Sequence, residues 1–100
     1  IPADILYQDE EIIAIRDANP EAPTHILVMP KSHISSLAQL GDEHEALTAH
    51  LIYVANELAR REGIVQTGYR ITANCGPNAG QVVPHLHLHL LGGRALGKEG

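Results

Sequence analysis

The sequence predicts an α+β domain: a five-stranded, mainly antiparallel sheet, one long helix against one of its faces, and a short helical turn. Three observations carry that expectation. His85-Leu86-His87-Leu88-His89-Leu90-Leu91 alternates at the period of a β-strand, where successive side chains leave opposite faces. Leu47, Leu51, Val54, Ala55 and Leu58 recur at helical offsets and make a single apolar stripe. Short apolar runs bounded by Pro, Gly, Asn and Asp fill much of the rest.

In chain order, Ile5-Leu6-Tyr7-Gln8 and Ile12-Ile13-Ala14-Ile15-Arg16 read as strands of a hairpin, separated by Asp9-Glu10-Glu11. The stretch from Asp17 to Pro23 holds an Asn and two prolines, which suit a loop and not a ladder. A third strand follows at His25-Ile26-Leu27-Val28-Met29, stopped by Pro30, and Lys31-Ser32-His33 leads into a short connection with Ser35 and Ser36. Asp42 with Glu45 three residues later resembles a capping box for the helix, and Gly63 suits the left-handed position beyond Arg60-Arg61-Glu62. His44 and His50 repeat no ligand spacing and read as surface or flank residues. Tyr69-Arg70-Ile71-Thr72-Ala73 is the fourth strand. The loop Asn74-Cys75-Gly76-Pro77-Asn78-Ala79-Gly80-Gln81 then joins it to an antiparallel neighbour, the His strand opened by Pro84.

One hundred residues with 44% hydrophobic content are expected to form a single domain, 1–100, without linker or internal repeat. A net charge of −5 argues against nucleic acid or an anionic membrane as partner, since both select basic surfaces. Three Tyr without Phe or Trp make a base-stacking platform a poor expectation as well. A lone cysteine, Cys75, forms no intrachain disulfide, and with no signal-like or spanning apolar run the expected setting is cytoplasmic.

The alternation places Leu86, Leu88 and Leu90 in a core and His85, His87 and His89 in a row on the other face. A polar strand face that merely happens to be His is the bland alternative. Lys, Thr or Glu would solvate such a face as well without titrating near neutrality, so three imidazoles in register favour chemistry. A metal site is one candidate, but His85 and His89 stand about 13 Å apart at the rise of a strand, too far to share one ion. Zinc would then need a ligand from elsewhere, with His25, His33 and Cys75 as the candidates. Nucleophilic attack on phosphorus by a neutral imidazole is the other candidate. The Gly/Asn loop before the strand can aim backbone N–H groups at phosphate oxygens without net basic charge.

The same residues resemble the signature of the histidine triad (HIT) superfamily, His-φ-His-φ-His-φ-φ. Gly92-Gly93-Arg94 after it is similar to the Hint branch, the histidine triad nucleotide-binding proteins that act as purine nucleoside phosphoramidases. The resemblance extends through Ile1-Pro2-Ala3, Asp17, Ala22-Pro23-Thr24-His25, Val28-Met29-Pro30-Lys31-Ser32-His33, Asn74 and Gly80-Gln81. It implies a HIT-like fold and a catalytic set of His87, His85, His89 and His25. His87 would be the nucleophile on the α-phosphorus of a nucleoside 5′-phosphoramidate, oriented by the main-chain carbonyl of His85. The His85 side chain would pair with His25 in a proton relay, and His89 would contact a phosphate oxygen. Asn74, Gly80, Gln81 and the backbone of Val82 match the phosphate cradle, Asp17 the carboxylate on the ribose hydroxyls, and Ile15 and Ala18 the nucleobase pocket. Read without the family, Asp17 is equally a turn residue, and Lys31 a solvated charge.

The resemblance further implies a homodimer binding a purine nucleoside monophosphate or phosphoramidate. It requires no cofactor and leaves room for a bound zinc without a catalytic role. Two departures stand out. Val82 replaces the Ser that many members carry near the leaving group, and relatives have a helical segment upstream of Ile1 that walls the base pocket, which is otherwise more open. The alternatives are a dinucleoside polyphosphate hydrolase or nucleotidylyl transferase with the same nucleophile, and a nucleotide-binding interaction module without significant catalysis.

Overall fold

Ile12 and Ala14, Ile26 and Val28, and Leu88 and Leu90 occupy alternate positions on three neighbouring strands, and all six are buried on one sheet face. That pattern makes the sheet one-sided and leaves the intervening residues for the site. The computed structural model describes residues 4–98; Ile1-Pro2-Ala3, part of the resemblance above, lies outside them. The strands are β1 (Ile5–Gln8), β2 (Ile12–Arg16), β3 (Thr24–Pro30), β4 (Tyr69–Thr72) and β5 (Leu88–Gly92). They form one sheet in the order β1-β2-β3-β5-β4, with every neighbouring pair antiparallel. The helix α1 (Glu45–Arg61) covers the apolar face through Leu51, Val54, Ala55, Leu58 and Ala59. The expected stripe is thus the packed one, with Leu47 at its half-buried margin.

Helix α1 ends as its sequence requires. Gly63 takes a φ of +71°, the amide of Gly63 donates to the carbonyl of Arg60, and the amide of Ile64 donates to that of Ala59. These are the paired bonds of a Schellman cap, and Ile64 adds the buried apolar contact that accompanies it. The cap residue Glu62 also receives both guanidinium nitrogens of Arg16, at 3.0 and 2.8 Å, and the Thr24 hydroxyl at 3.2 Å. The Arg16 guanidinium holds the Glu62 carboxyl below its usual range, and the pair ties the end of α1 to β2.

The β1–β2 turn is closed by Asp9, whose Oδ1 accepts from the amides of Glu11 and Ile12, both at 2.8 Å. Its Oδ2 accepts from Tyr7 Oη at 2.6 Å and His50 Nε2 at 2.7 Å. These donors hold the Asp9 carboxyl well below the ordinary carboxylate range, Tyr7 foremost. His50 is therefore a strut between α1 and the hairpin, more than the flank residue the sequence suggests.

Several expected boundaries move: β3 runs from Thr24 through Pro30, which pairs with Ile12 and so does not stop the strand, and β4 ends at Thr72. The His strand joins the ladder only at Leu88, because the amide of Leu86 is taken by the carbonyl of Ile34 and that of His85 by Val83. Leu86, Leu88 and Leu90 are nonetheless all buried, so the alternation holds through the irregular part. Asp42 does not cap the helix either. A 3-10 turn at Asp42–His44 precedes α1, and the amide of Gly41 donates to His44 Nδ1 at 2.9 Å. The sequence assigns its short helical turn no place; 3-10 turns form at Leu37–Gln39, where Ser36 Oγ accepts from the amide of Ala38, at Asp42–His44 and at Pro77–Ala79. Among the described residues no helix is long and apolar enough to cross a membrane.

Candidate active site

The register of the central strands decides which histidines meet. Leu27 of β3 lies opposite His89 of β5, and His25 lies opposite Leu91, so His25 and His89 are diagonal neighbours on the outer face. His25 Nε2 is 2.9 Å from His89 Nδ1. The expected pairing of His25 with the His85 side chain is therefore incorrect. His85 lies four residues the other way along the chain, and its Nε2–H donates to the carbonyl of Pro30 at 2.8 Å. The imidazole rings of His87 and His89 meet edge to face at 5.0 Å between centroids.

The hydrogen bonds assign the proton on each ring. The main-chain carbonyl of His85 accepts from His87 Nδ1 at 2.7 Å, so the proton of His87 is on Nδ1 and Nε2 is a free lone pair. The amide of Glu21 donates to His25 Nδ1 at 3.0 Å, so the proton of His25 is on Nε2. That proton reaches His89 Nδ1, and Asp17 Oδ2 lies 3.3 Å from His25 Nε2. His89 consequently carries its own proton on Nε2. Burial, and secondarily the neighbouring His87 and His25, lower the His89 pKa, which keeps the ring neutral in this relay.

Asp17, Leu27, His87 and His89 line a cleft of about 410 Å³ beneath the loop that carries Gly80, Gln81, Val82 and Val83. Glu21 and Asn74 complete it and are shared with an adjoining cavity of about 470 Å³, which His25, Arg70 and Thr72 help to line. The loop is built by its glycines, with φ of +84° at Gly76 and +79° at Gly80. Asn74 Nδ2 donates to the carbonyl of Ala79 at 2.9 Å. Asp17 Oδ1 accepts from the amide of Asn19 at 2.9 Å, so this residue forms the turn and lines the cleft at once.

The structure thus gathers Asp17, Asn74, Gly80, Gln81, Val82, His87 and His89 around one cleft, with His25 behind His89. His85 contributes its carbonyl while its side chain turns away. Ile15 and Ala18 are not among the residues lining the cleft; Ile15 sits one strand over, opposite Leu27, and Ala18 is exposed. His33 lies beside His85, 6.0 Å between ring centroids, and borders a separate hollow. Sequence reasoning passed over Leu27 and Glu21. Leu27 is two residues beyond His25 and shares its face, a signal the strand period carries. Glu21 acts through its amide, which no residue type announces.

One metal arrangement needs a chemical test. Ligand atoms of Asp17, His25 and His89 lie within 4.8 Å of one another. A metal there would require His25 Nε2 without its proton. The proton would then sit on Nδ1 facing the Glu21 amide, two donors opposed. The hydrogen bonding fits a proton relay and does not fit zinc.

Comparison with known proteins agrees with this geometry. The family model described as HIT domain matches residues 1–96. The chain is 51% identical over 96 residues to an uncharacterised HIT-like protein of Synechococcus elongatus, covering 96% of this chain and 83% of that one. It is 47% identical over 97 residues to the purine nucleoside phosphoramidase of Escherichia coli, covering 97% and 82%. The structure superposes on a HIT family hydrolase of Legionella pneumophila with a TM-score of 0.93 at 44% identity, covering 95% of this chain and 85% of that one. The register-paired histidines, the glycine-built loop and the match over residues 1–96 agree: the chain belongs to the HIT domain family, alongside its hydrolases.

Proposed function

We infer that the chain hydrolyses the P–N bond of nucleoside 5′-phosphoramidates, purine nucleosides foremost, through a nucleotidyl group carried on His87. The observation that carries this reading is the bond from His87 Nδ1–H to the His85 carbonyl, which leaves Nε2 as a lone pair on the cleft wall. That pair attacks the α-phosphorus as the P–N bond breaks, and the amine leaves with the bond electrons and takes a proton from solvent. Water then attacks the phosphorus and releases its proton to solvent, while the electrons of the His–P bond return to Nε2. The net products are the nucleoside monophosphate and the free amine. His89 Nε2–H is the donor that meets negative charge on the phosphate oxygens.

The name of the Escherichia coli relative supports the substrate class. Asp17 retains lone pairs for the ribose hydroxyls beside the one given to the Asn19 amide. In this reading the base lies toward Ile15 and Ala18. The reading includes a cytoplasmic homodimer, for which the exposed Ile52 and Tyr53 of α1 offer apolar surface.

The test is mass spectrometry of protein quenched without acid during turnover of adenosine 5′-phosphoramidate. A transient nucleotidyl adduct on His87, absent from His87→Ala, is the expected result. Wild-type protein that binds AMP yet forms no adduct and releases no amine would favour an interaction module instead.

A further inference from the structure

Asp17 and His25 each follow directly on a residue that faces the helix. Arg16 lies two and four positions beyond Ala14 and Ile12, and Thr24 lies two and four before Ile26 and Val28, so both share the face of those buried residues. That is the face α1 covers, and the helix ends there in Glu62. One carboxylate meets both strands. Glu62 Oε1 accepts from Arg16 Nη1 at 3.0 Å and from Thr24 Oγ1 at 3.2 Å, and Oε2 accepts from Arg16 Nη2 at 2.8 Å.

The same strand ends carry the relay on their other side. One rung beyond the paired Arg16 and Ile26, the amide of Asp17 donates to the carbonyl of His25 at 2.9 Å, and the chain then leaves the sheet for the loop that ends at Pro23. Asp17 Oδ2 lies 3.3 Å from His25 Nε2, which is 2.9 Å from His89 Nδ1. Strand ends beside a loop fray unless something ties them down. The tie here is a two-bond guanidinium–carboxylate pair of fixed geometry, and Glu62 is itself held by its amide, which donates to the carbonyl of Leu58 at 2.9 Å. Nothing else replaces it: Asp4 reaches Arg16 only at Nε, at 3.6 Å, and the Thr24 hydroxyl is buried away from water.

We propose that Glu62 is a positioning residue for the histidine relay: through Arg16 and Thr24 it fixes the backbone of Asp17 and His25 from the helix side of the sheet, and with it the proton that His25 presents to His89. Glu62 lines neither cavity and acts only through these two residues. Its effect on rate rests on the phosphoramidase reading; its effect on the relay does not. His87 stands outside its reach, since the His85 carbonyl sets that tautomer from the stretch before β5. Loosening the tie therefore disturbs His89 and spares His87. Misplacement by about 1 Å, even from a site far from the chemistry, can cost about a hundredfold in rate, and a partial loosening costs less.

The test uses Glu62→Gln, which sets an amide N–H against a guanidinium N–H, and Thr24→Val, which keeps the buried shape and removes one donor. Thr24→Val reads the tie even where Glu62→Gln folds poorly. Glu57→Gln is the comparison, because it breaks the pair with Arg60 on the same helix without touching the sheet. Imidazole nitrogen shifts of His87 and His89 are measured in the ligand-free protein, and kcat/KM with adenosine 5′-phosphoramidate. In Glu62→Gln, and to a smaller extent in Thr24→Val, the His89 shifts are expected to move toward an average of the two tautomers while those of His87 stay in place. The expected fall in kcat/KM is about tenfold in Glu62→Gln and about threefold in Thr24→Val, with Glu57→Gln matching wild type. Wild-type His89 shifts in both variants would overturn the positioning role, as would equal movement of His87 and His89, which a general loosening of the fold produces. Absence of amine release from wild type would overturn the phosphoramidase reading alone, and the shifts would still decide the role of Glu62.

Discussion

Arg94 Nη2 donates to the main-chain carbonyl of Glu21 at 2.6 Å, and the amide of the same Glu21 donates to His25 Nδ1 at 3.0 Å. The arginine after the two glycines therefore holds the carbonyl of the residue whose amide sets the His25 tautomer, and His25 in turn sets that of His89. Arg94→Ala is expected to lower kcat/KM for adenosine 5′-phosphoramidate about five- to tenfold, the worth of one hydrogen bond near 1 kcal/mol. Imidazole nitrogen chemical shifts of His89 should show its proton redistributed between Nδ1 and Nε2. Unaltered shifts in the variant would disconnect Arg94 from the relay.

The first two members of the His row part company in what they contribute. His85 serves His87 through a main-chain carbonyl, which His85→Ala retains, whereas His87→Ala removes the attacking nitrogen. His85→Ala should keep its rate within about tenfold of wild type and lose about 1 kcal/mol of stability with its bond to Pro30. His87→Ala should lose at least about a thousandfold in kcat. Equal losses in the two variants would place the His85 imidazole in the reaction itself.

The one-sided sheet was legible because burial imposes a period, so Leu86, Leu88 and Leu90 announced their face even where the ladder stops short of them. Gly63 was legible for the same kind of reason, since the left-handed cap admits few other residues. The partner of His25 was not legible. Pairing depends on register between strands more than sixty residues apart, and a shift of a few residues along β5 exchanges His85 for His89. The roles of His44 and His50 were hidden for a related reason: a cap and a strut are made with the chain's own Gly41 amide and Asp9 carboxylate, which leaves no spacing to read.

Lowered by burial first and by His87 and His25 next, the His89 pKa links stability to pH with a definite sign. The unfolded chain binds a proton at the ordinary histidine value of about 6.5, where the folded chain does not. Stability contributed by neutral His89 is therefore complete above about pH 6.5 and declines as pH falls toward its folded pKa. The depressed carboxyls of Asp9 and Glu62 act at lower pH, below their own unfolded values of about 4. Urea unfolding from pH 7 to 5 should show a loss in wild type that His89→Asn diminishes. The same slope in both proteins would remove His89 as its source.

Gly92 and Gly93 are glycines for different reasons, and substitution separates them. A Cβ on Gly92 would lie 2.7 Å from Ile64 Cδ1, the tip of a side chain, whereas one on Gly93 would lie 2.9 Å from Cβ of Pro23 with φ at +94°. Gly93→Ala should cost about 1–3 kcal/mol in urea unfolding, since neither the ring nor the left-handed backbone can yield cheaply. Gly92→Ala should cost a similar amount alone. Ile64→Val removes Cδ1, and although an Ile→Val change costs about 0.5–1.5 kcal/mol by itself, the double variant Gly92→Ala/Ile64→Val should be more stable than the sum of its parts. The coupling energy of that cycle is the quantity to measure. Strict additivity would show that Gly92 is required by something other than the Ile64 contact.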